Sequence, residues 1–286
     1  MVETLHKVFV PVQWVKEIIE ADPISHNYVV VECSWGKPSE EYLEKHIPGA
    51  IHLDTDLIEE DINWNIRTPK EINDTLISLG ISKSTRVVIY GKGASFARFA
   101  FVCIWAGVQN VHVIDGGLNA WISAGYRTEK GIVEPKPISE FGAEIPVHPE
   151  YLMSWPTEIL KAQKNPNFRL VSVRSWREFI GEVSGYSYIN RSGEPKGAIW
   201  GHAETDYYND DRTVKSLTEV EAMLTEWDIR KGNEIAFYCG TGWRASLPFL
   251  ILYENGWDNI KVYDGGWFVW QKDPGLPVQI GSPREK

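Results

Sequence analysis

Short apolar runs alternate with longer helical patterns along the whole chain. Residues 29–31 (VVV), 87–90 (VVIY) and 111–114 (VHVI) are brief runs rich in β-branched side chains. Such runs fill parallel strands that are buried on both faces. Residues 96–106 form a longer, dominantly apolar stretch that predicts a buried helix. Residues 217–227 are amphipathic, with Leu217, Val220, Met223, Leu224 and Trp227 at helical spacing and Ser216 or Thr218 placed to cap the start. Strands that alternate with helices predict an α/β fold with a mainly parallel sheet.

The pattern occurs twice. Residues 87–90 (VVIY) match 235–238 (IAFY), 114–117 (IDGG) match 263–266 (YDGG), and 48–51 (PGAI) match 196–199 (KGAI), all at a shift of about 148 residues. Residues 29–35 (VVVECSW) match 170–176 (LVSVRSW) at a shorter shift of about 141, which places an insertion in the polar stretch 181–193. A period this long indicates duplicated domains rather than a solenoid. Between the copies, residues 127–150 carry Pro135, Pro137, Pro146 and Pro149 with Gly131 and Gly142, the composition of an extended surface linker. The expected division is a first domain over 1–134, a linker over 135–148 and a second domain over 149–286.

Charge and cysteine usage narrow the function. The net charge is −10, with no Lys/Arg run or basic stripe, which argues against a nucleic-acid partner. In an acidic chain, an arginine beside a reactive group carries more information than usual. Cys33, Cys103 and Cys239 are odd in number and widely spaced, so neither a disulfide framework nor a metal site is expected. Free thiols fit a reducing compartment. Residues 1–15 show no signal-peptide pattern, and no stretch approaches the ~20 apolar residues of a membrane span. A cytoplasmic protein without membrane contact is the expectation.

The chemistry concentrates in residues 235–249 (IAFYCGTGWRASLPF). A buried strand ends at Tyr238, Cys239 follows, and Gly240, Thr241, Gly242, Trp243 and Arg244 lead into a helical run over 245–253. Ligands of open α/β sheets bind outside the carboxyl ends of the strands, which is where Cys239 falls. A short loop with two glycines can turn several N–H groups inward. With the following helix N-terminus it forms an anion cradle that favours thiolate, the nucleophilic form. Arg244 adds a permanent cation. Cys103, within the apolar helix, and Cys33, after a strand, read instead as core residues.

These features resemble the tandem-domain rhodanese family over residues 10–277. In that family the second domain carries the active cysteine at the start of a six-residue loop, and the first copy is inactive. Here the first-half position matching Cys239 is Gly91, followed by Lys92 and Gly93. Residues 46–50 (HIPGA) match one family marker, from which the second half departs as 194–198 (EPKGA), and a D-G-G turn occurs in both halves. The resemblance implies two rhodanese-like domains, each a mainly parallel sheet flanked by helices. It also implies sulfur transfer through a Cys239 persulfide, with no metal and no organic cofactor. Its partners would be a small anionic sulfur donor and an acceptor that is cyanide, a thiol or a thiol protein. Gly240, Thr241, Gly242, Trp243, Arg244 and Arg174 would bind substrate, Arg174 by its match to a family position near the site. The loop CGTGWR fits neither the thiosulfate pattern, with basic residues directly after the cysteine, nor the Cys-Gly-Ser-Gly-Val of 3-mercaptopyruvate enzymes. It is most similar to a less common bacterial variant of the thiosulfate enzymes. Thiosulfate is the expected donor and 3-mercaptopyruvate the alternative.

Two other classes compete. A phosphatase or arsenate reductase on this fold needs Cys-x5-Arg, but position 245 is alanine and only four residues separate Cys239 from Arg244. Phosphatase turnover dependent on Cys239 would favour that class. A non-catalytic rhodanese-like binding protein would show a Cys239 no more reactive to iodoacetamide than free cysteine. A serine hydrolase has no Gly-x-Ser-x-Gly elbow here, and His46, His52 and His202 read as solvated or capping residues. No nucleotide-binding glycine motif is present, so Gly116-Gly117 and Gly265-Gly266 read as turns.

Overall fold

The computed structural model describes residues 7–21 and 28–283; residues 1–6, part of the stretch read as lacking a signal pattern, lie outside them. The chain forms two compact units. One comprises Met1–Asp61, Ile66–Pro149 and Asp210–Val214; the other comprises Ile62–Asn65, Glu150–Asn209 and Lys215–Lys286.

In the first unit, β1 (Phe9–Val10), β2 (Tyr28–Ser34), β3 (Ile51–Asp54), β4 (Arg86–Gly91) and β5 (Asn110–Ile114) make a parallel sheet in the order β1-β5-β4-β2-β3. The apolar stretch predicted as a helix is one, Ser95–Ala106, and all its residues except Phe96 are buried. Arg98 sits inside this helix because the buried Glu59 carboxylate accepts from its Nε at 2.7 Å. Gly107 closes the helix at φ 106°, a left-handed turn that favours glycine.

The second unit repeats the design. It contains β6 (Leu152–Met153), β7 (Phe168–Ser172), β8 (Glu194–Pro195), β9 (Ile199–Trp200), β10 (Glu234–Tyr238), β11 (Ile260–Tyr263) and β12 (Val278–Gln279). Five of them form a parallel sheet in the order β6-β11-β10-β7-β9, and β8 pairs antiparallel with β12. The predicted amphipathic helix runs Leu217–Thr225 and starts at Ser216, not Thr218. The Ser216 hydroxyl accepts from Glu219 N–H while the Glu219 carboxylate accepts from Ser216 N–H. This reciprocal box satisfies two donors at the helix start. Tyr238, Trp267, Trp270, Phe179 and Leu170 belong to the core cluster of this unit.

The sheets correct the internal alignment by one residue. Glu32 of β2 lies opposite Tyr90, and Ser172 of β7 lies opposite Tyr238, so Glu32 and not Val31 is the counterpart of Ser172. Carried two residues on, this register sets Arg174 at the place of Ser34. The shared Ser-Trp pair drew the sequence match one step out of phase.

Residues 135–148 lack regular structure but are held within the first unit. Phe141 and Ile145 are buried, and Ile77 and Phe141 carbonyls accept from Ile138 and Lys83 N–H. Apolar side chains spaced among the prolines anchor what composition alone read as an extended surface linker. The histidines are likewise more enclosed than expected. His46 is fully buried with Nδ1 2.8 Å from the Tyr42 carbonyl, His52 Nε2 lies 2.8 Å from Ser34 Oγ, and His202 Nε2 lies 3.2 Å from the Met223 carbonyl.

Candidate functional site

β10 is buried from Ile235 to Tyr238 and delivers Cys239 at its carboxyl end, directly before the helix Trp243–Glu254. Gly242 turns the loop at φ 88°, a conformation that favours glycine, and its carbonyl accepts from Ser246 Oγ at 2.9 Å. The N–H groups of Thr241 and Gly242, both buried residues, donate to no protein acceptor among the described residues. Buried orphan donors at a helix N-terminus are what an anion cradle requires. Trp243 opens the helix and is partly exposed. Cys239 itself is only 1% exposed.

The second D-G-G turn holds this loop from behind. Trp267 N–H donates to the Cys239 carbonyl at 2.9 Å, and Phe268 N–H donates to the Gly240 carbonyl at 3.0 Å. Gly266 has φ +54°, and a Cβ there would stand 2.4 Å from the Gly240 oxygen and 2.8 Å from the Cys239 oxygen. The glycine therefore does more than turn the chain: it lets two backbone segments approach.

Neither arginine is a loose cation. Arg244 is clamped by Glu178, with Nη1 and Nη2 donating to the two carboxylate oxygens at 3.0 and 2.9 Å, and Arg244 also donates to the Tyr186 hydroxyl. Its guanidinium lies 5.0 Å from the Tyr186 ring centroid. Arg174 is fully buried. It donates to Glu178 at 3.3 Å, to Glu194 at 2.9 Å, and to the Gly193 and Ser184 carbonyls at 2.7 Å each. Tyr238 and Ser172 hydroxyls also donate to Glu194. The structure thus sets Arg244 in the first turn of the helix that follows the Cys239 loop, and Arg174 joins it through the shared Glu178 carboxylate in a buried network. Such bidentate, charge-assisted bonds fix geometry strongly.

The network sets the charge of its members. Burial alone raises Glu178, but hydrogen bonds and charge from Arg244, with the charge of Arg174, bring it down to about 2. Glu194 is pushed up to about 7 by burial, against the pull of Arg174 and the Tyr238 hydroxyl. Burial, and then the Cys239 sulfur, raise the Tyr186 phenol. Burial also raises the thiols of Cys33 and Cys103, in keeping with core roles.

Sequence reasoning missed Tyr186, Glu178 and Glu194. Tyr186 accepts from Gly240 N–H at 2.9 Å, next to the cysteine. It lies in the polar insertion over 181–193, where no hydrophobic period marks it. Glu178 closes a capping box with Ser175, whose N–H donates to its carboxylate at 2.9 Å, and the Ser-x-x-Glu spacing is the one sequence signal it carries. Beyond Tyr186, an aromatic wall continues within this unit: Tyr188 lies 5.2 Å from Tyr186, and Trp64 lies 4.6 Å from Tyr188 and 4.7 Å from Phe268. Among the described residues no group of three His, Cys, Asp or Glu could hold a metal ion.

In the first unit a different loop follows β4. A Cβ on Gly91 would stand 2.2 Å from the Cys33 carbonyl oxygen, so a cysteine cannot occupy this position without moving the backbone. Ser95 Oγ ties the turn, donating to the Cys33 and Lys92 carbonyls at 2.7 Å each.

Comparison with known proteins gives a consistent result. The rhodanese-like domain model matches residues 11–124 and 156–273. The thiosulfate sulfurtransferase YnjE of Escherichia coli K12 is 39% identical over 285 residues, covering 94% of this chain. The chain spans 64% of that relative's own length, less than two thirds. The bovine thiosulfate sulfurtransferase is 26% identical, with 94% of this chain and 93% of the relative covered. Among solved structures, EanB in complex with hercynine matches at 35% identity and TM-score 0.92, over 98% of this chain and 71% of EanB.

Proposed function

The chain belongs to the rhodanese-like domain family, and we propose that its second unit is a sulfurtransferase working through a persulfide on Cys239. The observation that carries this reading is the loop itself: a cysteine at the carboxyl end of β10, beside the unpartnered N–H groups of Thr241 and Gly242. With thiosulfate as donor, the Cys239 thiolate attacks the outer sulfur. A new S–S bond forms, the bond between outer sulfur and sulfonate breaks, and sulfite leaves with the electron pair. An acceptor thiolate or cyanide then attacks the outer sulfur, and Cys239 leaves as thiolate. Both resting and loaded forms are anionic, so one cradle stabilises both. The first unit is the inactive copy, because its Gly91 position has no room for a side chain.

Two observations bear on the substrates. Arg244 and Arg174 are already paired to carboxylates, so capture of an anionic donor falls on backbone N–H groups more than on a free guanidinium. The similarity to EanB, solved with hercynine, supports a second reading in which the acceptor is an imidazole betaine of that kind. The test is turnover of thiosulfate and of 3-mercaptopyruvate with cyanide, a small thiol and hercynine as acceptors, for wild type and Cys239→Ser. The expected result is Cys239-dependent turnover with thiosulfate, and a mass gain of one sulfur atom on Cys239 when acceptor is withheld. Equal turnover by Cys239→Ser, or no sulfur on Cys239 with either donor, would refute the mechanism.

A further inference from the structure

A short stretch of the first half, residues 62–65, belongs to the second unit, and residues 210–214 of the second half belong to the first. The two stretches are equivalent in the repeat. Trp64 and Arg212 stand at matching distances before the helix caps Thr68 and Ser216. Both hold a left-handed backbone, φ 57° and 69°. A bulky side chain kept in that sparsely populated conformation points to a role for the residue. In the first unit, Val214 N–H donates to Asp115 Oδ1 of the D-G-G turn at 2.8 Å. In the second unit, residues 62–65 meet the segment that follows the equivalent turn. Lys272 Nζ donates to the Ile62 carbonyl at 3.1 Å and to Asn63 Oδ1 at 2.9 Å. The Trp64 ring lies 4.7 Å from Phe268 and 4.6 Å from Tyr188. Two routes then lead from Trp64 to the residue after Cys239. Phe268 N–H donates to the Gly240 carbonyl at 3.0 Å. Tyr188 lies 5.2 Å from Tyr186, whose hydroxyl accepts from Gly240 N–H at 2.9 Å. Tyr188 is 45% exposed and Trp64 partly exposed, so the ring cluster is open to a ligand.

We propose that Trp64 is a specificity-determining residue for the sulfur acceptor, and that the acceptor it selects is a planar aromatic thiolate. This rests on the persulfide reading above and names a substrate class for its second half-reaction. Trp64 meets Tyr188 at 70° and Phe268 at 33°, and Tyr188 meets Phe268 at 79°. Rings set edge-to-face and tilted in this way extend naturally to one more flat ring. The Lys272 ammonium stands 3.8 Å from the Phe268 centroid. The cluster therefore already holds a cation, which attracts an anionic ring and repels a quaternary ammonium. In the transfer step the aryl thiolate attacks the outer sulfur of the Cys239 persulfide. An S–S bond to the aryl sulfur forms, the bond to Cys239 Sγ breaks, and the electron pair stays on Sγ. The products are an aryl persulfide and the Cys239 thiolate.

The test compares wild type with Trp64→Gly, Trp64→Phe and Arg212→Ala, using thiosulfate as donor and either thiophenol or 2-mercaptoethanol as acceptor. Glycine adopts the left-handed backbone without strain, so Trp64→Gly removes the ring and keeps the course of the chain. In Trp64→Gly, kcat/KM for thiophenol relative to 2-mercaptoethanol falls about tenfold, the scale of a lost aromatic pair with its buried area, and the fall lies mainly in KM. In Trp64→Phe the ratio falls only about threefold, because a smaller ring remains. Arg212→Ala, at the equivalent place in the other unit, keeps wild-type turnover of both acceptors. A merely structural role for Trp64 would lower both acceptors alike, so an unchanged ratio in Trp64→Gly overturns the proposal. An equal fall of the ratio in Arg212→Ala overturns it too. Should Trp64→Gly fail to fold, the ratio in Trp64→Phe decides. Mass analysis of Cys239 in wild type separates the two levels of the argument. Persulfide with an unmoved ratio refutes the role of Trp64 alone, and absence of persulfide refutes the reading beneath it.

Discussion

Gly266 and Gly117 occupy matching places in the two D-G-G turns, and their backbones are nearly the same, φ +54° and +58°. Alanine at either position adopts a left-handed conformation at a cost of roughly 1–2 kcal/mol. Beyond that the two diverge. A Cβ on Gly117 meets nothing within 4 Å, whereas one on Gly266 meets the Gly240 and Cys239 oxygens at 2.4 and 2.8 Å. Those oxygens accept from Phe268 and Trp267 N–H, so parting the segments weakens two hydrogen bonds of about 0.5–1.5 kcal/mol each. Gly117→Ala is therefore expected to cost about 1–2 kcal/mol and Gly266→Ala about 2–5 kcal/mol in urea denaturation. The displaced carbonyl belongs to Cys239, so Gly266→Ala should also lose roughly a hundredfold in sulfur transfer, the scale of a misplacement of about 1 Å. Gly117→Ala should keep full turnover. Equal destabilisation of the two variants, or wild-type turnover in Gly266→Ala, would refute the argument that the turn and the loop are held in contact.

Two further perturbations test the buried charges. Arg174→Met leaves Glu194 buried without its cation and Glu178 with Arg244 alone and should destabilise by about 3–5 kcal/mol. Adding Glu194→Gln to it should recover part of the loss, and a double variant no more stable than the single would show that the pair is not coupled. Glu32 is raised to about 7, chiefly by burial and against the pull of Lys92, and its Oε2 has no hydrogen-bond partner. Its folded form resists ionisation, so it costs stability progressively as pH rises from 4.5 through about 7. Glu32→Gln should match wild type in denaturation midpoint at acid pH and gain at alkaline pH, by at most about 3 kcal/mol; a gain independent of pH would exclude titration of Glu32 as its source.

Much of this molecule is written locally in the chain, and the parts that are not share a cause. The strand ending at Tyr238, the cysteine, the Gly-x-Gly and the following helix are contiguous, so residues 235–249 announce the loop by themselves. The duplication is legible because buried strands and D-G-G turns repeat in order. The one-residue register error between β2 and β7 came from trusting an identical Ser-Trp pair over sheet pairing, which sequence cannot display. Tyr186, Glu178 and Glu194 were invisible for a related reason. Their contacts with Tyr238, Gly240 and Arg244 reach 44 to 66 residues along the chain, as with Tyr238 and Glu194 or Arg244 and Glu178, and no local pattern encodes a contact at that range.

The same long-range contacts alter what the loop can recognise. Read from sequence, Arg244 is a cation beside a nucleophile in an acidic chain, ready to take a sulfonate. In the folded unit its charge is met by Glu178, which its own neighbourhood keeps ionised down to about 2. Arg174 is met in turn by Glu178 and Glu194. What remains for an incoming anion is the set of backbone donors at Thr241 and Gly242, with the phenol of Tyr186 at the edge of the same loop. Backbone donors are short-ranged and discriminate by shape, whereas a free guanidinium would attract any anion through several ångströms of solvent. On the proposed mechanism, a site built this way would hold one small anionic sulfur closely, and the rings of Tyr186, Tyr188, Trp64 and Phe268, packed in sequence beside the loop, would be the first candidates to select the rest of the donor or acceptor.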